Sequence, residues 1–149
     1  MRRIVFDTTV LISAFLRPGG LSDELLGLAA LGDFELLLAA QIIAETRNKL
    51  LTSSRLRSRY AYSAAAATRF CRALGLLAEI VRDLPSLAGV VRDPDDDVIL
   101  ACAIKGQADG VITRDKDLLS LGSYQGIAIV TPETFRQQLR AALPRGRTT

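Results

Sequence analysis

Histidine is absent from the 149 residues, which removes every mechanism that needs an imidazole base or an imidazole metal ligand. Cysteine occurs only twice, at Cys71 and Cys102, far apart, in apolar helical contexts and without metal-ligand spacing. That excludes a cysteine-based metal site, and the pair reads as buried reduced thiols of a cytoplasmic protein. No apolar run approaches the ~18 residues of a membrane helix, so no membrane partner is expected. The stretch from Ile4 to Leu16 is broken by Asp7 and lacks a small-residue cleavage site, so it is not expected to be a signal peptide. Internal repeats, low-complexity tracts and linkers are missing too. A single domain over residues 1–149 is therefore expected, with 143–149 as a frayed tail.

Apolar residues are plentiful instead, at 49% of the chain with a mean hydropathy of +0.24, enough for a full core. Arginine supplies sixteen of the nineteen basic residues, and the net charge of +3 hints at a polyanionic partner. Short β-rich runs alternate with helical ones. Strands are predicted at Arg3–Asp7, Phe34–Leu38, Glu79–Val81, Gly110–Thr113 and Ile127–Val130. Helices are predicted near Val10–Leu16, Asp23–Leu31 (capped by Ser22), Gln41–Leu51 and Asp96–Lys105. Others are Arg55–Leu77 with a break near Tyr60–Ser63, a turn at Leu118–Leu121, and Pro132 to about Leu143 behind a Thr131 cap. The alternation predicts an α/β fold with a mainly parallel sheet.

Against the basic background, six of the eleven aspartates fall in two clusters, Asp93, Asp95, Asp96 and Asp97, then Asp115 and Asp117. One acid before a helix caps free N–H groups and suits the dipole, so a single aspartate there needs no function. Only one residue can be the cap, however, and four acids in five residues repel one another. A calcium loop fails, because its sixth position would be Val98 and its twelfth Ile104. In an open α/β sheet, sites form outside the carboxyl ends of the strands. Asp97 at a helix start, Asp115 past a strand end and Asp7 at the end of the first strand are candidates to meet there, with Glu45 on a helix edge. Taken singly, Asp7 also reads as a strand-end turn residue, Glu45 as a solvated helix edge and Thr113 as an ordinary strand residue.

Carboxylates brought together raise one another's pKa unless a cation neutralises them. Oxygen ligands without histidine or cysteine select Mg2+ or Mn2+. Such an ion activates water and steadies charge on a phosphate, so metal-dependent phosphodiester hydrolysis is the natural chemistry.

Five segments then resemble, in order, the PIN-domain family. They are Asp7-Thr-Thr-Val-Leu-Ile-Ser13, Gln41-Ile-Ile-Ala-Glu45, Asp93-Pro-Asp-Asp-Asp-Val-Ile-Leu-Ala101, Val111-Ile-Thr-Arg-Asp-Lys-Asp-Leu-Leu119 and Ile127-Ala-Ile-Val-Thr-Pro-Glu-Thr-Phe135. The resemblance implies a three-layer α/β/α sandwich with a five-stranded parallel sheet. It also implies an Mg2+- or Mn2+-dependent ribonuclease akin to VapC-type toxins, with single-stranded RNA as substrate, a small antitoxin protein as partner and a homodimer. Matched position by position, it assigns the catalytic quartet to Asp7, Glu45, Asp97 and Asp115, with Asp7, Asp97 and Asp115 on the metal. Asp97 is taken because the family places the acid directly before the apolar helix. Thr113 matches the family's hydroxyl beside the site and Asp117 an additional acid, while Asp93 and Asp96 are expected to set loop shape and surrounding charge. Many relatives carry Asn where this chain has Thr9, and a hydroxyl cannot reproduce both ends of an amide.

A further feature belongs to this sequence. Between Glu45 and Glu79 no acid occurs, yet Arg47, Lys49, Arg55, Arg57, Arg59, Arg69 and Arg72 do. Any three would pass as a solvated face, but seven without a counter-charge point to a track for the RNA backbone, with Arg47, Lys49, Arg55, Arg57 and Arg59 as the candidates nearest Glu45. Two other readings of the chain stand beside the nuclease. A PIN-like domain that only binds RNA or protein is one. A phosphotransfer or receiver domain is the other, but it needs a second acid after Asp7 or a lysine after a late strand. Thr8, Thr9, Val130 and Thr131 supply neither.

Overall fold

Short apolar runs form the central strands, because β-branched and leucine side chains on both faces can be buried only in the middle of a layered sheet. In the computed structural model, which describes residues 2–87 and 93–142, β1 (Arg3–Phe6), β2 (Glu35–Leu38), β3 (Glu79–Ile80), β4 (Gly110–Ile112), β5 (Ser123–Tyr124) and β6 (Ile127–Val130) make one sheet. Its order is β3-β2-β1-β4-β6-β5. The first five strands in that row run parallel, as expected, and β5 pairs antiparallel with β6 at the edge. The added sixth strand arises from a two-residue hairpin turn. Gln125 and Gly126 both take positive φ, at 48° and 80°, the conformation a tight turn between antiparallel strands demands.

The helices are α1 (Thr8–Leu16), α2 (Leu21–Ala30), α3 (Ala40–Thr52), α4 (Ser54–Arg59), α5 (Ala64–Leu77), α6 (Pro94–Lys105), α7 (Lys116–Leu121) and α8 (Pro132–Ala141). The predicted break after Arg59 separates α4 from α5. Ser22, expected to cap α2, instead lies inside its first turn with a buried hydroxyl that has no partner, and Gly20 precedes the helix without a side-chain cap. The expected tail at 143–149 lies outside the described residues.

Two helical layers enclose the sheet. On one face Phe6, Phe34 and Phe135 stack, with ring centroids 5.0–6.4 Å apart, joining β1 to α8. On the other face α6 lies across β1, β2 and β4, and α3 packs on both α5 and α6. Gly106 ends α6 where a Cβ would meet Leu37 Cδ1 and Val81 Cγ2 at 3.0 Å, so the close approach of this helix end to the sheet depends on the missing side chain. The chain leaves β1 toward β2 on one side, while β4 joins β1 on the other. This reversal opens a crevice at the carboxyl ends of β1 and β4, where α/β sheets bind ligands.

Candidate active site

Asp7 is the first residue past β1, and it caps α1. Its Oδ1 accepts from Val10 N at 3.1 Å and from the Thr9 hydroxyl at 2.6 Å, while Oδ2 accepts a short bond from the Thr113 hydroxyl. Asp7 is only 3% exposed, and burial pushes its pKa up. The bonds from Thr113, Thr9 and Val10 oppose that rise without cancelling it, and the charge of Asp115 adds to it.

Across the crevice, β4 delivers Thr113 and Asp115. The fully buried Thr113 hydroxyl, besides donating to Asp7, accepts from Asp115 N at 2.9 Å. Asp115 caps α7 with one oxygen only: Oδ1 accepts from Asp117 N at 2.8 Å and Leu118 N at 3.0 Å. The third contribution comes from α6. Asp93 caps it, accepting from Asp95 N at 3.0 Å, and Pro94 occupies the first turn, where its missing N–H costs nothing. Asp96 then turns inward and is 7% exposed, with its Oδ2 buried and without a hydrogen-bond partner.

Asp96, Asp115 and Asp117 each present a carboxylate oxygen within 4.8 Å of the others, and Asp7 lies close enough for its charge to act on Asp96 and to feel Asp115. The pKa of Asp96 is pushed up to about 7, first by burial, then by the charges of Asp115, Asp93 and Asp7 and by hydrogen bonding with Asp115. Three helix N-termini, those of α1, α6 and α7, converge on the group and partly offset its negative charge. They do not neutralise it. An all-oxygen donor set with an orphaned buried carboxylate oxygen fits a hard divalent cation, Mg2+ or Mn2+.

Of the expected quartet, Asp7 and Asp115 are brought together here, while Asp97 and Glu45 are not. The structure draws together Asp7, Asp96, Asp115 and Asp117, whereas Asp97 is half-buried in a separate recess with Gln41, Pro94 and Leu84. The reason is helical phase. Ile99, Leu100 and Ala103 are buried, and counting back three, four and seven residues lands on Asp96; Asp97 sits a further 100° round. Adjacency to the apolar run points to Asp97, whereas the phase of that run turns Asp96 toward Asp115 and Asp117. Glu45 stands outside the group of three as well. Its Oε1 is 2.9 Å from Lys49 Nζ, one turn along α3. Burial would lower the pKa of Lys49, but the bond and charge of Glu45, with the charges of Asp95 and Asp93, outweigh it and raise the value. The pair thus borders the acidic mouth.

The basic candidates divide. Arg55 and Arg59 line a cleft beside Thr9, together with Arg17, Tyr60 and Arg114. Arg57 points elsewhere on α4, donating to Leu51 O at 3.1 Å, and Lys49 is committed to Glu45. Arg47 is exposed on α3, near enough to oppose slightly the burial that raises the Cys71 thiol. Arg17 and Arg114 escaped the sequence reading because they stand far from the basic run. Arg114 makes a two-pronged ion pair with Glu133, at 2.9 and 2.6 Å, and its N–H donates to Thr9 Oγ1 at 3.3 Å. Thr9 therefore links Asp7 to the β4–α7 connection through one hydroxyl that donates at one side and accepts at the other.

The family model for the PIN domain matches residues 3–117. No curated protein matches the chain. Among solved structures, it is similar to VapBC2 from Rickettsia felis bound to a DNA fragment from their promoter, with 13% identity, a TM-score of 0.60 and coverage of 87% of this chain and 98% of that one. It is also similar to PAE2754 from Pyrobaculum aerophilum, with 21% identity, a TM-score of 0.56 and coverage of 94% of this chain and 90% of that one.

Proposed function

Because the chain belongs to the PIN domain family, we propose that it is an Mg2+- or Mn2+-dependent endoribonuclease that cuts single-stranded RNA as the toxin of a toxin–antitoxin pair. The observation that carries this reading is the meeting of Asp7, Asp96, Asp115 and Asp117 at the sheet's switch point, with one buried carboxylate oxygen of Asp96 left unpartnered. Asp7, Asp96 and Asp115 would hold the ion, with Asp117 beside them. A bound divalent ion supplies water activation and stabilises the charge that develops on the phosphate. The chain's own part is positioning. The Thr113 hydroxyl fixes Asp7 and the backbone of Asp115 at once, so the two strand ends keep a constant separation. The α7 cap holds one oxygen of Asp115, which aims the other away from the helix. Glu45 and Lys49, paired at the border, would orient water or a phosphate oxygen.

The toxin role is supported by the likeness to VapBC2, whose chain is matched over nearly its whole length. A small antitoxin and a symmetric dimer accompany that reading. No helix among the described residues is long and apolar enough to cross a membrane. Both cysteines are free and buried, and burial pushes the Cys102 thiol up to about 12, so neither acts as a nucleophile and both suit a reducing cytoplasm. The test is cleavage of a fluorescent single-stranded RNA with Mn2+ or Mg2+. Activity that survives EDTA undiminished contradicts the metal-dependent reading.

A further inference from the structure

We infer that the cleft between α1 and α4 is a binding subsite for the phosphodiester backbone of single-stranded RNA, occupied by nucleotides flanking the bond cut at the acidic mouth. The inference rests on the ribonuclease reading and deepens it by assigning the path of the strand.

The cleft has a volume of about 280 Å³ and is continuous with the acidic group, because Thr9 belongs to both: it lines the cleft and its hydroxyl donates to Asp7. Arg17, Arg55 and Arg59 face the cleft, and no carboxylate among the described residues forms an ion pair with any of them. Arg55 and Arg59 stand four residues apart on α4, on the same side, where like charges repel. Three uncompensated guanidinium groups around one depression are matched by a ligand with regularly spaced negative charge. Tyr60 organises them. Arg17 beside its hydroxyl, with the charges of Arg59 and Arg55, lowers the Tyr60 pKa, and Arg59 lies over its ring at 5.6 Å. The floor is apolar, built from Ile12, Leu16 and Leu56, and gives bases a surface to cover once their phosphates are held.

The wall that carries the arginines is anchored. Ser53 caps α4, accepting from Leu56 N at 3.2 Å, and Tyr62 donates to Leu50 O at 2.6 Å while its ring meets Phe15 of α1 edge-on. The two sides of the cleft are thus tied together below it. Position favours RNA over an acidic protein segment. A strand with its scissile phosphate among carboxylates is repelled there, and the arginines adjoining Thr9 offset that repulsion one or two nucleotides away.

Binding is read by fluorescence anisotropy in EDTA, with a labelled single-stranded dodecamer RNA and an Asp96→Asn background that prevents cleavage. Replacing Arg17, Arg55 and Arg59 with Gln should weaken binding at least roughly tenfold and flatten the plot of log affinity against log salt by about 2, at about 0.7 per phosphate contact. Replacing Arg69, Arg72 and Arg140 instead removes the same charge away from the cleft and should change the slope far less. In the active enzyme the cleft variant should raise KM more for the dodecamer than for a dinucleotide. Unchanged affinity and slope, or an equal loss in the control, overturns the subsite. So does a variant that keeps RNA binding but loses an acidic peptide. Absence of cleavage by the wild type in Mn2+ would count against the ribonuclease reading alone, since the binding arm needs no catalysis.

Discussion

Asp96→Asn separates the cost of the acidic cluster from its use. The folded, metal-free protein holds this carboxyl at about 7, against an ordinary value of 3.8. Because the folded value is raised, the native state binds the proton more tightly than the unfolded chain does. Stability is therefore lost as pH climbs from about 4 to about 7 and stays lost above that. At 1.36 kcal/mol per pH unit, the full displacement corresponds to a burden on the order of 4 kcal/mol above pH 7. Asparagine removes the charge but leaves a buried amide to satisfy, so we expect roughly half of that burden to be relieved. For a chain of this length, about 2 kcal/mol raises Tm by about 4–8 °C. Calorimetry in EDTA should show the advantage growing from pH 4 to pH 7 and then levelling. Adding Mn2+ should stabilise the wild type by about 2.7 kcal/mol at a hundredfold excess over Kd, and the variant much less. A variant less stable than wild type at pH 8 in EDTA, or an advantage independent of pH, would refute the reasoning.

Thr9→Val removes the hydroxyl that donates to Asp7 and accepts from Arg114 N, so RNA cleavage should fall about tenfold, in line with one lost bond to a charged group; Thr9→Asn should retain activity, and wild-type rates for the valine variant would show that Thr9 merely packs. Gly106→Ala should destabilise by about 1–3 kcal/mol in chemical denaturation, because its Cβ would press on Leu37, Val81 and the Cys102 carbonyl at 3.0 Å; an unchanged midpoint would mean that the end of α6 shifts freely. The bond between Thr113 and Asp7 gives a third expectation: Thr113→Val should lower activity and metal affinity together, measured by Mn2+ titration calorimetry, while Thr113→Ser keeps both.

The parallel sheet and its helices were legible because their cause is local. Buried triplets such as Ile4-Val5-Phe6 and Leu36-Leu37-Leu38 have only one stable use, and Gly106, Thr131 and Pro132 punctuate helices by their own backbone chemistry. The antiparallel strand β5 was not legible, since its two residues are defined by pairing with β6 and by a Gln-Gly turn in place of the usual Asn-Gly. At the site, Asp7 and Asp115 could be placed because one follows directly on β1 and the other lies three residues past the end of β4. Asp96 was masked by its three acidic neighbours, and only the register of the helix distinguishes it from Asp97. Arg17 and Arg114 reach the cleft through tertiary folding alone, so no linear run announced them.

Asp96→Asn and Asp97→Asn, compared side by side in Mn2+-dependent cleavage of a single-stranded RNA, test the central claim most directly. The two variants carry the same charge and the same chemical change one residue apart on one helix. If the carboxylates gathered by Asp7, Asp96 and Asp115 hold the ion, Asp96→Asn should lose at least about a hundredfold in rate, as removal of a metal-site group typically does, while Asp97→Asn should stay within about threefold of wild type. Equal loss in both, or loss confined to Asp97→Asn, would contradict the assignment of Asp96 to the metal.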